Sequence, residues 1–123
     1  MAAARSLFIL LWLFVPPALA ADVFVAGIND LPLMPGLTSQ AADSTVFDAP
    51  SGRIVETWAQ GSVTQQAVLS FYRTTLPQLG WSAADPDLFR REGETLRLEF
   101  PASGPRGNRA SGTLLIRFYL SPG

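Results

Sequence analysis

The longest helical pattern in the chain lies at residues 63–81, where apolar side chains recur every three to four residues. They share one arc of a helical wheel, which is typical of a helix that packs on a core. Ser62 and Gln65 predict a capping box at the helix start, and Gly80 predicts a left-handed residue at its end. Pro77 predicts a kink or a tightened last turn, because proline cannot donate the helical hydrogen bond. The apolar positions are Val68, Leu69, Phe71, Tyr72, Leu76 and Leu79.

Five other segments alternate between apolar and polar residues, as β-strands do. The segments between them, residues 38–44, 82–87 and 102–111, have loop compositions, and the last of these predicts a mobile surface loop. The order β-β-α-β-β-β predicts an α+β fold, an antiparallel sheet of about five strands with one helix packed on one face. The predicted strands are residues 45–48, 53–60, 88–91, 95–101 and 112–120.

An apolar arm at residues 21–37 is broken by glycines and prolines, which predicts an extended segment with a short edge strand at 23–26. Its apolar surface is too large to remain in water as one patch. The arm either packs back on its own domain, which is the favoured alternative, or docks on a partner or membrane surface. We therefore divide residues 21–123 into an arm and linker, residues 21–44, and an α+β domain, residues 45–123.

The first twenty residues have the features of a signal peptide. Arg5 precedes an apolar run, two prolines follow it, and Ala18-Leu19-Ala20 forms a small–x–small cleavage site. A retained membrane anchor is the alternative, but the run is shorter than the ~20 apolar residues that a bilayer needs. The sequence therefore predicts cleavage after Ala20 and a periplasmic protein without stable membrane insertion.

Composition excludes several kinds of chemistry. The chain has no cysteine and no histidine, which removes disulfides, thiolate metal sites and the commonest general base. The net charge of −1 lacks the basic surplus of a nucleic-acid binder. Two acidic pairs, Asp85 with Asp87 and Glu92 with Glu94, could bind Ca²⁺, but solvated turn residues explain them better. We therefore expect neither an enzyme nor a cofactor.

The arginines provide the one candidate ligand site. If the last two strands pair, Arg97, Glu99 and Arg117 share the outer face of the sheet. The favoured interpretation is a cross-strand ion pair that contributes about 0.2–1 kcal/mol. The alternative is a site for an anion or a lipid headgroup, which guanidinium groups bind well. The predicted ligand-binding residues are Arg97, Arg106, Arg109, Arg117 and Tyr119.

Three motifs carry a resemblance to known proteins. They are D-L-P-L-M-P-G at residues 30–36, F-Y-x3-L-P-x-L-G-W at residues 71–81 and F-x-R-E-G-E at residues 89–94. In this pattern the chain resembles small exported proteins of unknown function from proteobacteria. The resemblance covers most of the mature chain and implies a shared fold, and it brings no activity or functional residue with it.

These observations predict an exported, non-catalytic binding or assembly module in the bacterial envelope, with a periplasmic or envelope protein as its partner. The first alternative is a binder of small ligands or lipid headgroups that uses the arginine-bearing sheet face. The second alternative, a small hydrolase, has the least support because serine would lack a histidine or lysine base.

Overall fold

The computed structural model describes residues 23–123, so the predicted leader lies outside the described residues. This part of the chain forms a single α-helix, nine strands and two short 3-10 turns, at Ala41–Asp43 and Leu76–Leu79. The elements are β1 (Leu37–Ser39), β2 (Thr45–Ala49), β3 (Gly52–Gly61), α1 (Gln65–Thr75), β4 (Ser82–Asp85), β5 (Leu88–Arg91), β6 (Glu94–Glu99), β7 (Ser103–Gly104), β8 (Gly107–Asn108) and β9 (Leu114–Pro122).

Seven of these strands form one antiparallel sheet in the order β1-β3-β9-β6-β5-β4, and β2 pairs with β3 on the same side as β1. The remaining two, β7 and β8, form a separate hairpin. The predicted α+β fold is confirmed, but the sheet has more strands than the predicted five. The additions, β1 and β4, lie at the sheet margins in segments that we predicted as a linker and a loop. β1 has only three residues, and β4 reads Ser-Ala-Ala-Asp, so neither shows an alternation of apolar and polar residues.

The helix begins two residues later than a capping box at Ser62 requires. Thr64 is the N-cap, and its hydroxyl oxygen accepts a hydrogen bond from the backbone N–H of Ala67 at 3.0 Å. Ser62 lies outside the helix, so the predicted capping box is wrong. The predictions at the other end are confirmed, because Pro77 lies in the 3-10 turn and Gly80 has a φ of 94°.

The buried face of α1 is the predicted one over its first turns. Val68, Tyr72 and Leu76 have no exposed surface, and the Tyr72 ring meets Phe118 of β9 edge-on with ring centroids 5.6 Å apart. Leu79 is 41% exposed, contrary to the prediction. The 3-10 turn has three rather than 3.6 residues per turn, so it rotates Leu79 out of the apolar arc.

The inner face of the sheet forms the core with α1 and with the arm. Along this face the register places Val55, Leu120 and Leu96 side by side on neighbouring strands. The arm packs over the same core, as the favoured alternative predicted, although its predicted strand is reduced to a single bridge between Phe24 and Pro32. The buried arm residues are Val25, Ile28, Leu31, Leu33 and Leu37.

Tyr72 holds the arm to the helix through its buried hydroxyl group. The hydroxyl donates to the carbonyl oxygen of Pro32 at 2.8 Å and accepts from the backbone N–H of Met34 at 3.3 Å. Burial raises the pKa of Tyr72 well above its ordinary value, an effect that the Met34 hydrogen bond only partly opposes. The neutral phenol therefore ties a proline-rich segment to the middle of α1.

Arg91 on β5 holds the tip of the arm. Its guanidinium group bonds the Asp30 carboxylate at 2.5 Å and the carbonyl oxygen of Leu79 at 3.1 Å. The same group stacks on Trp81, 4.4 Å from the ring centroid. Partial burial of Asp30 opposes ionisation, yet the hydrogen bond and charge of Arg91 lower its pKa below the ordinary value. The three sequence motifs thus meet at this junction between arm, helix end and hairpin.

Candidate binding surfaces

The outer face of the sheet, opposite α1, carries an ion-pair network centred on Arg117. The register aligns Glu56 of β3, Tyr119 of β9 and Arg97 of β6 across this face. The guanidinium group of Arg117 hydrogen-bonds both Glu56 and Glu99, and it lies over the Tyr119 ring at 4.6 Å from the centroid.

This network changes how the predicted arginine site is interpreted. The structure brings Arg97, Arg117 and Tyr119 together on one face, as the alternation along their strands indicated. Two carboxylates flank Arg117, so the three groups together carry a net negative charge that would repel an approaching anion. Among the described residues, Arg97 has no carboxylate within ion-pair distance. Glu56 was missed from the sequence, because its role depends on β3 lying beside β9.

Arg106 and Arg109 belong to a different part of the surface. The β7–β8 hairpin lies on the outer face, and Arg106 holds it there through an ion pair with Asp43 at 2.8 Å. A Cβ atom at Gly104 would lie 2.9 Å from Leu115 and 3.2 Å from Trp58, so only glycine permits this close approach. The segment predicted as a mobile loop therefore covers two apolar side chains of the sheet.

A cavity of about 210 Å³ lies beneath this hairpin. Its lining includes Arg106, Arg109 and the apolar side chain of Leu115, together with the amides of Gln40 and Gln60. Neither Arg97 nor Arg117 contributes to it, so the predicted ligand-binding residues divide between two places. The volume is below the ~300–1,000 Å³ of typical ligand pockets.

The edge strand β2 exposes apolar side chains and backbone hydrogen-bonding groups together. Val46 is 58% exposed and Phe47 is 59% exposed. No described strand other than β3 pairs with β2. Alternate N–H and C=O groups along such a strand point away from its one neighbour, and no described element outside the ladder accepts or donates to them. This edge offers both the hydrogen bonds and the apolar contacts that an added strand uses.

The opposite edge of the sheet is built differently. β4 is four residues long, Ser82–Asp85, and its small and polar side chains are all exposed. The register with β5 shifts between Ala83 and Asp85, and Pro86 follows directly. Short length, a bulge and a proline are devices by which sheet edges avoid pairing with other chains. In β2, by contrast, Asp48 is the sole charged residue and no proline interrupts the strand.

Within residues 23–123, no group of three or more acidic side chains is placed to hold a metal ion. In the same residues, no helix has the length and apolar character needed to cross a bilayer. Comparisons of the chain with family models, with curated proteins and with solved structures found no match.

Proposed function

We propose that this protein is an exported, non-catalytic binding or assembly module of the bacterial envelope, which acts by accepting a β-strand along β2. The supporting observation is the exposure of Val46 and Phe47 on a strand that carries almost no protection against pairing. The other exposed large apolar side chains of the described residues, Val23, Phe24 and Leu79, lie in the arm and in the 3-10 turn, so within the sheet this exposure is confined to β2. Exposed edges of this kind bind extended segments of other chains.

The positions of the perturbed ionisable groups favour binding over catalysis. Groups with strongly shifted pKa values often mark active sites. Here the groups with shifted pKa values make structural contacts instead. Tyr72 and Asp30 hold the arm, and Arg117 connects its own strand to the two neighbouring strands. Arg53 pairs with Glu94 in the same way. These contacts, and the absence of histidine from the sequence, leave a hydrolase with the least support.

A binder of anions or lipid headgroups has less support than a strand-binding module. Arg117 and Arg106 are each engaged by carboxylates, which would compete with an anionic ligand. Arg97 and Arg109 lie in different parts of the surface and would have to act separately.

Photo-crosslinking tests the proposed edge. A photoreactive phenylalanine analogue at Phe47 should give covalent adducts in the intact envelope, and the same analogue at Ala84 on the other edge is the matched control. Adducts at Phe47 and none at Ala84 are the expected result. Equal adducts at both positions, or none at Phe47, would contradict strand addition at β2.

Export is tested separately from binding. Cleavage after Ala20 predicts a mature protein that begins at Ala21 and is released by osmotic shock, which intact-mass measurement detects. A protein that keeps its leader and fractionates with the membrane would contradict this part of the proposal.

A further inference from the structure

We infer that the strand added at β2 is the β2 strand of a second copy of this chain, paired antiparallel about a two-fold axis at Phe47. This inference rests on the proposed role of β2 as the binding edge, and it specifies the partner. It follows from the hydrogen-bonding direction of each residue and from the side chains that the pairing brings together.

The backbone of β2 presents the required groups in the required order. Ala49 and Gly52 are ladder partners separated only by Pro50 and Ser51, so this closing pair must exchange backbone hydrogen bonds with each other. Hydrogen-bonded pairs alternate along an antiparallel ladder, so Phe47 and Thr45 also bond towards β3. The N–H and C=O groups of the two intervening residues, Val46 and Asp48, therefore point outward.

A two-fold axis at Phe47 uses all these outward groups. Val46 then lies opposite Asp48 of the second copy and exchanges backbone hydrogen bonds with it, and the symmetric pair does the same. The two Phe47 residues form a non-hydrogen-bonded pair, the position in which facing side chains come closest. Two-fold pairing of identical surfaces is the commonest arrangement among soluble homo-oligomers.

The side chains of the two strands suit this register. The two Phe47 rings meet on the outer face of the sheet, and aromatic cross-strand pairs stabilise sheets. Each Asp48 lies opposite Val46 of the other copy, so the two carboxylates do not face each other. Thr45 lies opposite Ala49, which is a small residue at the end of the strand. No pairing in this register places like charges opposite one another.

The contact is limited to five residues of each chain, Thr45–Ala49. The surface area that it buries is therefore smaller than the ~1,600 Å² of a standard stable interface. We expect an association that depends on concentration, strengthens where copies accumulate, and dissociates on dilution.

Disulfide trapping tests the register directly, because the chain has no native cysteine. In a non-hydrogen-bonded pair the Cα atoms are about 4.5 Å apart, within the ~4.4–6.8 Å that a disulfide spans. Phe47→Cys should therefore form a crosslinked dimer under mild oxidation of the purified protein. Val46→Cys should not, since its copies lie roughly 8–9 Å apart, beyond the limit of about 7 Å.

A mixture of Val46→Cys and Asp48→Cys proteins should crosslink, because these positions face each other in the inferred register. Ala84→Cys, on the exposed β4 edge, measures random collision. Efficient crosslinking at Phe47 and in the mixture, at least tenfold faster than at Ala84, is the expected result. Equal rates at all positions would overturn the inference.

Sedimentation velocity without a crosslink provides the second measurement. The wild-type protein should shift from monomer towards dimer as its concentration rises, and Val46→Pro should remain monomeric because it removes one outward N–H. Ala84→Pro on the other edge is the control. A dimer that persists in Val46→Pro would overturn the inference, as would a wild-type protein that stays monomeric at millimolar concentration.

The two proposals fail in distinguishable ways. A monomeric protein whose Phe47 still crosslinks to a different envelope protein would overturn the second-copy inference and leave strand binding at β2 intact. A protein that crosslinks neither to itself nor to another protein at Phe47 would overturn both.

Discussion

Replacing Tyr72 by phenylalanine tests how the arm is held. The change removes one oxygen atom and keeps the ring that packs against Phe118 and Phe71. It leaves the carbonyl of Pro32 without its donor and the N–H of Met34 without its acceptor. Each net hydrogen bond contributes about 0.5–1.5 kcal/mol, so the expected loss is about 1–3 kcal/mol.

That loss is large for a protein of this size. Total stability of roughly 5–15 kcal/mol is typical, and a loss of about 2 kcal/mol lowers the melting temperature of a ~100-residue domain by roughly 8–16 °C. Urea unfolding gives the free energy of unfolding. Hydrogen exchange locates the effect, because the amides of Val25 and Leu33 are bonded within the arm. We expect these amides to lose more protection than those of β9.

Tyr119→Phe is the matched control. It removes the same atom from a partly buried ring whose hydroxyl makes no hydrogen bond to the described residues. We expect a change below about 0.5 kcal/mol there. If Tyr72→Phe costs as little as this control, or if arm and β9 amides lose protection equally, the hydroxyl does not fasten the arm and the reasoning is refuted.

Tyr72 also makes the free energy of unfolding depend on pH in the alkaline range. The folded pKa of Tyr72 is raised above the unfolded value of about 10, so the neutral phenol stabilises the fold fully below that pH. Its contribution decreases as the pH rises above about 10, towards the folded pKa. The wild-type protein should therefore lose more stability than Tyr72→Phe between pH 9 and 11, as measured by urea unfolding at each pH.

Three further substitutions test the packing of the core, the buried hydroxyl of Thr57 and the β7–β8 hairpin. Leu76→Ala should lose about 2–5 kcal/mol in urea unfolding, and a loss below about 1 kcal/mol would mean that the site is not packed as described. Thr57→Val should be neutral or stabilising by up to about 1 kcal/mol, because the buried Thr57 hydroxyl has no partner among the described residues; clear destabilisation would reveal one. Gly104→Val should displace the hairpin, because the larger side chain would clash with Leu115 and Trp58. The newly exposed Trp58 should shift tryptophan emission to the red, whereas Ser103→Ala should leave the emission unchanged.

The long elements could be predicted from the sequence because each carries its own signal. β3 and β9 are long enough to show alternation, and Pro77 and Gly80 restrict the backbone locally wherever they occur. The N-cap was misplaced because serine and threonine at Ser62 and Thr64 have the same capping chemistry. The choice between them depends on where β3 ends, which tertiary pairing sets.

The short elements depend on contacts between distant parts of the chain. The β7–β8 hairpin has the composition of a loop, and its position follows from the close approach of Gly104 to Trp58 and from the Arg106–Asp43 ion pair. The strand order explains the candidate site in the same way. Alternation placed Arg117 on the outer face, but its contact with Glu56 requires β9 to lie between β3 and β6.

The position of the binding edge follows from how the other surfaces of the sheet are occupied. One helix covers only part of the inner face, and the arm completes the cover because Tyr72 and Arg91 fasten it. On the outer face, charged side chains and the hairpin exclude water from Trp58 without leaving a large apolar patch. The β4 edge is protected by its bulge and its length. A strand with five paired residues, exposed Phe47 and outward backbone groups then remains as the place where burial of apolar surface and formation of hydrogen bonds would both stabilise a complex.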